Sequence, residues 1–374
     1  MRLRTLWLIP VALVLVVTGC STEDDGDGGE GAAAAACEPG GTDGDLVLYN
    51  WSEYIDPELI TQFEQQYGVS VTEDFFPSNE DMLAKVSSGA SGFDVVVPSD
   101  YMVAIMIEEG LLAELQADAI PNLANLDPEF TDLPFDPEGR YSVPYQWGTS
   151  GIAVDTNVVG EDFEQSWGII FDPEQADAYS GKISMLNDPR ESLGAALKYL
   201  GYSLNTSDPD ELAEAQELLT ETTARLATYD SDQFEDLLVG GETAVAHGWS
   251  GDFFRAFDEA STDDFDAYEQ YSYFVPEEGG VRWVDNMAIL ADAPHPCTAH
   301  TFVDFMLDAE NGAALTNFNF YASPNAAAEE FIDPEILEDP AIYPPEEVVA
   351  NLEFIEDTGD FETQYSDAFT QAKG

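Results

Sequence analysis

The chain has 374 residues, 11 of them basic against 75 acidic, for a formal charge of −64. A surface this acidic repels nucleic acid and anionic lipid headgroups, so neither is expected as a partner. Acids run through the whole chain and the lysines are only Lys85, Lys182, Lys198 and Lys373, which fits solubility in a salt-rich habitat better than an acidic tail or a small cation site.

Residues 1–19 combine Arg2 and Arg4 with an apolar run from Leu6 to Val17 that ends in "VTGC". The run is short for a membrane span and reads as an export signal. The cysteine after small residues resembles a lipobox, with Cys20 as the lipid-modified first residue of the mature protein. The alternative is an ordinary secretory signal with an incidental cysteine. Residues 20–43 are small, acidic and aperiodic, which predicts a flexible tether. The protein is therefore expected outside the cytoplasm, tethered to the outer face of the cell membrane or in the periplasm. Cys37 and Cys297 then form an even pair in an oxidising compartment and are expected to be bonded, with two free thiols as the alternative.

The body reads as α/β. "DLVLY" (45–49) predicts a strand, and Asp56 caps a helix with Pro57 at its first position and Gly68 at its end. A strand over 69–76 follows, then a helix opened by Ser78 with Asp81 three residues on. "FDVVVPS" (93–99) is a continuous apolar run, as in a strand buried on both faces of a parallel sheet, and a helix over 101–109 ends at Gly110. The alternation predicts a doubly wound sheet. It resumes with a strand at 182–187, helices near 191–201 and 208–228, strands at 243–248 and 286–291, and a helix from Thr298 to Leu307. Ligands of open α/β sheets lie beyond the carboxyl ends of the strands, where Trp51–Tyr54 and Ser99–Tyr101 fall.

Three tryptophans are each followed two or three residues later by a carboxylate: Trp51 and Glu53 in "WSE", Trp249 and Asp252 in "WSGD", Trp283 and Asp285 in "WVD". In an extended segment i and i+2 share a face, so ring and charge can be presented together. Such a pair suits an organic ammonium ion: the carboxylate accepts its N–H groups and the ring face attracts the cation, worth about 0.5–2 kcal/mol per desolvated contact. Several pairs facing one slot would read a linear molecule with an ammonium at each end.

The chain resembles the spermidine/putrescine-binding proteins of ABC importers over nearly all of residues 45–373. The landmarks are "YNWSEYI" (49–55), "FDVVVPSDY" (93–101), "YSVPYQWG" (141–148), "NDPRE" (187–191), "GWSGD" (248–252), "EEGGVRWVDNMAI" (277–289), "YASPN" (321–325) and "IYPPEE" (342–347). The resemblance implies two α/β lobes of the periplasmic-binding-protein fold, each a mainly parallel sheet flanked by helices, with the ligand in the cleft between them. Lobe 1 would take 44–148 and 284–329, lobe 2 would take 149–283 and 330–374. It implies Trp51, Ser52, Glu53 and Tyr54 on one wall with Ser99 and Tyr101 beside them, Asp188 and Glu191 as carboxylates for the amines, and Trp249, Trp283, Asp285 and Tyr321 completing an aromatic box. Asp252 resembles the putrescine-preferring branch and Glu191 the spermidine branch, while Ile355 stands where spermidine binders place a Gln. A monomer delivering putrescine or spermidine to a membrane permease is implied, with no cofactor.

Trp147 and Tyr145 suit packing at the crossover, Trp167 suits the core, and Asp100 suits either the site or a solvated acid. His295, Cys297 and His300 in "PHPCTAH" enter a helix with the acids scattered, so no metal site is expected. "GWSGD" falls short of a nucleophile elbow because its second glycine comes one residue early, and His247 has no nucleophile set around it. No Walker A or dinucleotide motif is present, so transport energy must come from another polypeptide. A sensor subunit for another organic cation, or a secreted hydrolase, are the alternatives to a transport binding protein.

Overall fold

The computed structural model describes residues 36–89, 92–262 and 264–374. The export signal, Cys20 and most of the tether lie outside the described residues. Residues 37–43, assigned above to the tether, are held on the body instead. Cys37 is bonded to Cys297 with the Cα atoms 5.1 Å apart, Thr298 N–H donates to the Asp43 carboxylate at 3.0 Å, and the Thr301 hydroxyl donates to Gly41 O at 2.7 Å. The bridge closes a loop of 260 residues. Replacing both cysteines by serine is expected to cost about 2–5 kcal/mol, read as a fall in the urea midpoint; an unchanged midpoint would show that the bridge adds nothing.

Local chemistry places the first elements. Asp56 accepts from Glu58 N, Pro57 opens the helix Pro57–Tyr67, and Gly68 closes it at φ 69, a left-handed conformation that costs glycine little. Ser78 accepts from Asp81 N and starts the helix Asn79–Val86. Among the described residues nine strands follow in chain order: β1 (Leu46–Asn50), β2 (Val71–Phe75), β3 (Val95–Val96), β4 (Ser142–Asp155), β5 (Ile183–Met185), β6 (Leu226–Tyr229), β7 (Val245–Trp249), β8 (Tyr271–Phe274) and β9 (Arg282–Ile289). They run in the order β2-β1-β3-β9-β4-β7-β5-β6, with β8 paired to β4. Strands β1, β2 and β3 are parallel, as are β5, β6 and β7.

The two parallel groups are joined through antiparallel strands. The first half of β4 pairs with β9 and its second half with β7 and β8, and all fourteen of its residues are buried. This gives the two-lobe α/β fold expected from the sequence. Phe63, Val95, Met102 and Phe302 belong to one core, and Trp167, Ile183, Leu193 and Phe369 to another. A third cluster, with Trp147, Val284, Phe253 and Phe257, lies about the crossing strands. Tyr145 and Trp147 are thus crossover packing and Trp167 is core.

Strands β4 and β8 have no counterpart in the sequence reading, the strand expected at 286–291 starts earlier as β9, and two further elements differ. The run 93–99 pairs as a strand only at Val95–Val96, because Pro98 lacks a donor and Ser99 is already the N-cap of the helix Asp100–Glu108. The helix expected over 208–228 ends at Thr223, and Leu226–Tyr229 becomes β6, parallel to β5. The order of strands sets the site. Trp51, Ser99 and Asp188 follow the carboxyl ends of β1, β3 and β5, and Trp249 ends β7. Strand β9 is antiparallel to β3, so its beginning, with Trp283 and Asp285, meets those ends, and Asp285 bridges to Ser99.

Candidate functional site

The carboxyl ends of the two parallel groups line a cleft with about 780 Å³ of empty space, counted out to its open mouth. Trp51, Ser52, Glu53, Tyr54, Ser99 and Tyr101 line it from one side, and Asp188, Glu191, Trp249 and Asp252 from the other. Trp283, Asp285 and Tyr321 complete the wall. Every side chain named for the site from sequence therefore faces this one space.

The rings form two contacting groups on the cleft wall. Trp51 and Trp249 meet edge-on with centroids 5.6 Å apart. Trp283 and Tyr321 are 5.1 Å apart, and Tyr54 lies 5.2 Å from Tyr321. Trp51 is oriented by its indole N–H, which donates to Val97 O at 3.0 Å. Gly148 on β4 allows the Trp283 indole to lie flat on the strand, since a Cβ there would fall 2.7 Å from the Trp283 Cζ2 atom. Gly148→Ala is expected to push the indole into the cleft and to weaken ligand binding by about 1–3 kcal/mol, the usual cost of overpacking. Unchanged Trp fluorescence and affinity would disprove that role.

The carboxyls are buried and held by few donors. Asp285 accepts from the Ser99 hydroxyl at 2.6 Å, which is itself fixed by Asn79 Nδ2 at 3.0 Å. Glu191 accepts from the Ser150 hydroxyl at 2.8 Å and the Trp249 indole N–H at 3.1 Å. Asp188 caps the helix Pro189–Leu200, accepting from the amides of Arg190 and Glu191. Burial pushes Asp188, Glu191, Asp252 and Asp285 each up to about 7, the expected cost of ionising a carboxyl away from water. His247 stands 3.9 Å from Glu191, but burial lowers it to about 3, so it is neutral and supplies no countercharge. Arg190 is occupied elsewhere, donating to Glu362 at 2.8 Å and Asn205 at 2.9 Å.

Glu53 departs from the sequence reading. Its backbone sits at φ 55, so 51–53 is a turn and the shared-face argument for Trp51 and Glu53 fails. The carboxylate is exposed at the mouth, ion-paired with Arg255. In β9 the same argument holds, and Trp283 and Asp285 both line the cleft.

Further residues line the cleft that sequence reasoning missed or left open. Asp100 is buried, not a solvated acid: it accepts from Tyr101 N at 2.8 Å and Val284 N at 3.3 Å, and burial raises it to about 8. Phe234, Glu235, Arg255 and Ile355 also line the space. Glu80 lies just behind, accepting from the Tyr101 hydroxyl at 2.9 Å. In a chain with 75 acids no local pattern marks Glu235 or Glu80. No grouping of metal-ligating side chains exists among the described residues: Cys297 is in the disulfide and His300 Nε2 accepts from Gln116 N.

Aromatic faces around Glu191 and Asp285, neither of which has a charged base of the protein paired to it among the described residues, suit a solute cation. The model of the family of bacterial extracellular solute-binding proteins matches residues 58–344. The chain belongs to that family. It is a binding protein that works outside the cytoplasm, and not an enzyme. It is 36% identical over 315 residues to a putrescine/cadaverine-binding protein of Pseudomonas aeruginosa, covering 83% of this chain and 88% of that one. Identity is 33% over 344 residues to the spermidine/putrescine-binding periplasmic protein of Escherichia coli, covering 92% and 94%. A solved structure of a putative spermidine/putrescine ABC transporter from Listeria monocytogenes superposes with a TM-score of 0.82 at 36% identity, covering 88% of this chain and 99% of that one.

Proposed function

We propose that this solute-binding protein captures a linear polyamine, putrescine or spermidine, and delivers it to the permease of an ABC importer. The observation that carries the reading is the set Asp188, Glu191 and Asp285, buried, with Asp252 half-buried beside them, around Trp51, Trp249, Trp283 and Tyr321 with no paired base among the described residues. An ammonium group supplies the missing charge and up to three donors, and the alkyl chain lies between ring faces. The relatives' names point to the same ligands. Site roles follow: Asp285 with Ser99, and Glu191 with Trp249, accept from ammonium groups, while the rings and Tyr54 hold the methylenes. Glu53 with Ser52 and Tyr101 shape the mouth and wall.

The lobes divide at 148/149, 283/284 and 329/330, with the cleft between them. The protein is a monomer, carried on an acidic tether from a lipid on Cys20, and its excess of acids, 75 against 9 basic residues once Arg2 and Arg4 leave with the signal, serves solubility in concentrated salt. The test is calorimetry in high salt with putrescine, cadaverine, spermidine and spermine, 1,4-butanediol as the uncharged control, and recovery of the bound amine. Saturable binding of an amine returned intact, with no heat from the diol, supports the reading. Equal binding of the diol, or no amine binding, rejects it.

A further inference from the structure

The geometry points to Glu235 as a further ligand-binding residue, forming with Asp252 a two-carboxylate subsite for a terminal primary ammonium. This rests on the polyamine reading of the cleft. Glu235 lies in the short helix Phe234–Val239 and is only 5% exposed, yet it lines the cleft. Its Oε2 atom is buried without a hydrogen-bond partner. Its Oε1 atom is 3.9 Å from Arg255 Nη2, beyond hydrogen-bond reach. Arg255 directs its Nη2 to Glu53 and its Nη1 to Glu259 at 3.4 Å, and neither nitrogen reaches Glu235 within hydrogen-bond distance. An acceptor buried this way is costly unless something donates to it.

Asp252 comes from the next element, the helix Ser250–Ala260, and faces the same space. The groups facing Glu235 are Asp252, Asp236, Asp230 and Tyr321, whose hydroxyl also bonds Asp252, with Arg255 3.9 Å away. A buried carboxyl beside a half-buried one ionises at a cost that a cation between them removes. Burial, and then Asp252, raise Glu235 above the usual carboxylate range, so it holds its proton more tightly in the empty cleft and an arriving ammonium displaces that proton. The exchange balances: the carboxyl O–H proton leaves to buffer, and an ammonium N–H takes its place as donor. A primary ammonium has three donors to share between the two carboxylates. The subsite therefore selects for a charged chain end, which a hydroxyl or methyl end does not satisfy.

Calorimetry of wild-type and Glu235→Gln protein with putrescine, at pH 8 in two buffers of different ionisation enthalpy, reads both affinity and protons released. Glu235→Gln is expected to weaken binding about tenfold and to release about one proton fewer per putrescine, whereas Asp210→Asn, exposed in the first turn of the helix Pro209–Thr223, changes neither. Glu235→Asp should restore the proton. Where Glu235→Gln does not fold, Asp252→Asn must lower the same count. An unchanged proton count, whatever the affinity, overturns the subsite while leaving the polyamine reading intact. Wild-type protein that takes up no putrescine overturns both.

Discussion

Asp285→Asn is expected to weaken polyamine binding by about 10- to 100-fold, the loss of a charge-assisted hydrogen bond worth about 1.5–3 kcal/mol. Asp285 is buried and Ser99 occupies only its Oδ1 atom, so the carboxylate faces the cleft with acceptor capacity left. Asparagine keeps the shape and an acceptor for Ser99 but has no charge to give. The comparison is Asp210→Asn, at an exposed position in the first turn of Pro209–Thr223. Titration showing equally small effects of the two substitutions would remove Asp285 from the site.

Acidification is expected to have an effect as large. Asp188, Glu191, Asp252 and Asp285 each titrate near 7 because burial disfavours the charge. The ligand's ammonium groups stay charged to about pH 10 by analogy with lysine. Binding favours the ionised carboxylates and so releases protons. Lowering the pH from 7.5 to 5.5 should then weaken binding by roughly 25-fold for each carboxylate that must ionise. Stability runs the other way. A carboxyl whose folded value is raised from about 4 to about 7 holds more protons folded than unfolded across that window. Its contribution is fully present below pH 4 and is lost as pH rises through 7. The unfolding midpoint without polyamine should therefore fall between pH 5 and 8, and saturating polyamine should reduce that fall. An affinity independent of pH over 5.5–7.5 would mean that these carboxyls do not contact the ligand.

Much of the site could be read from the sequence because its residues follow local rules. Asp56 and Ser78 are N-caps with proline or acid behind them, so their strand-to-helix turns were visible, whereas Asp188 came through the family resemblance and its capping role shows only in the fold. "WVD" became a wall because β9 is extended. "WSE" became a turn because Glu53 takes a left-handed backbone, which no side-chain pattern announces. Strand β4 was not seen as a strand. It is buried on both faces over Ser142–Asp155, so it lacks alternation, and Pro144 sits at a register shift. Its role depends on partners far along the chain. Glu235 was invisible for another reason: burial distinguishes it, and in so acidic a chain burial of one glutamate is a tertiary property.

The central claim is that the charge closed within the cleft, rather than the charge spread over the surface, holds the ligand. Surface repulsion is screened at molar salt, where the Debye length is about 3 Å, whereas a pair closed away from solvent is screened far less. The deciding measurement is the putrescine dissociation constant from low to molar KCl, with folding followed in the same samples. The account predicts a change of at most about tenfold while the fold is stabilised. A loss of several orders of magnitude with the fold intact would contradict it and assign the amines to diffuse surface charge.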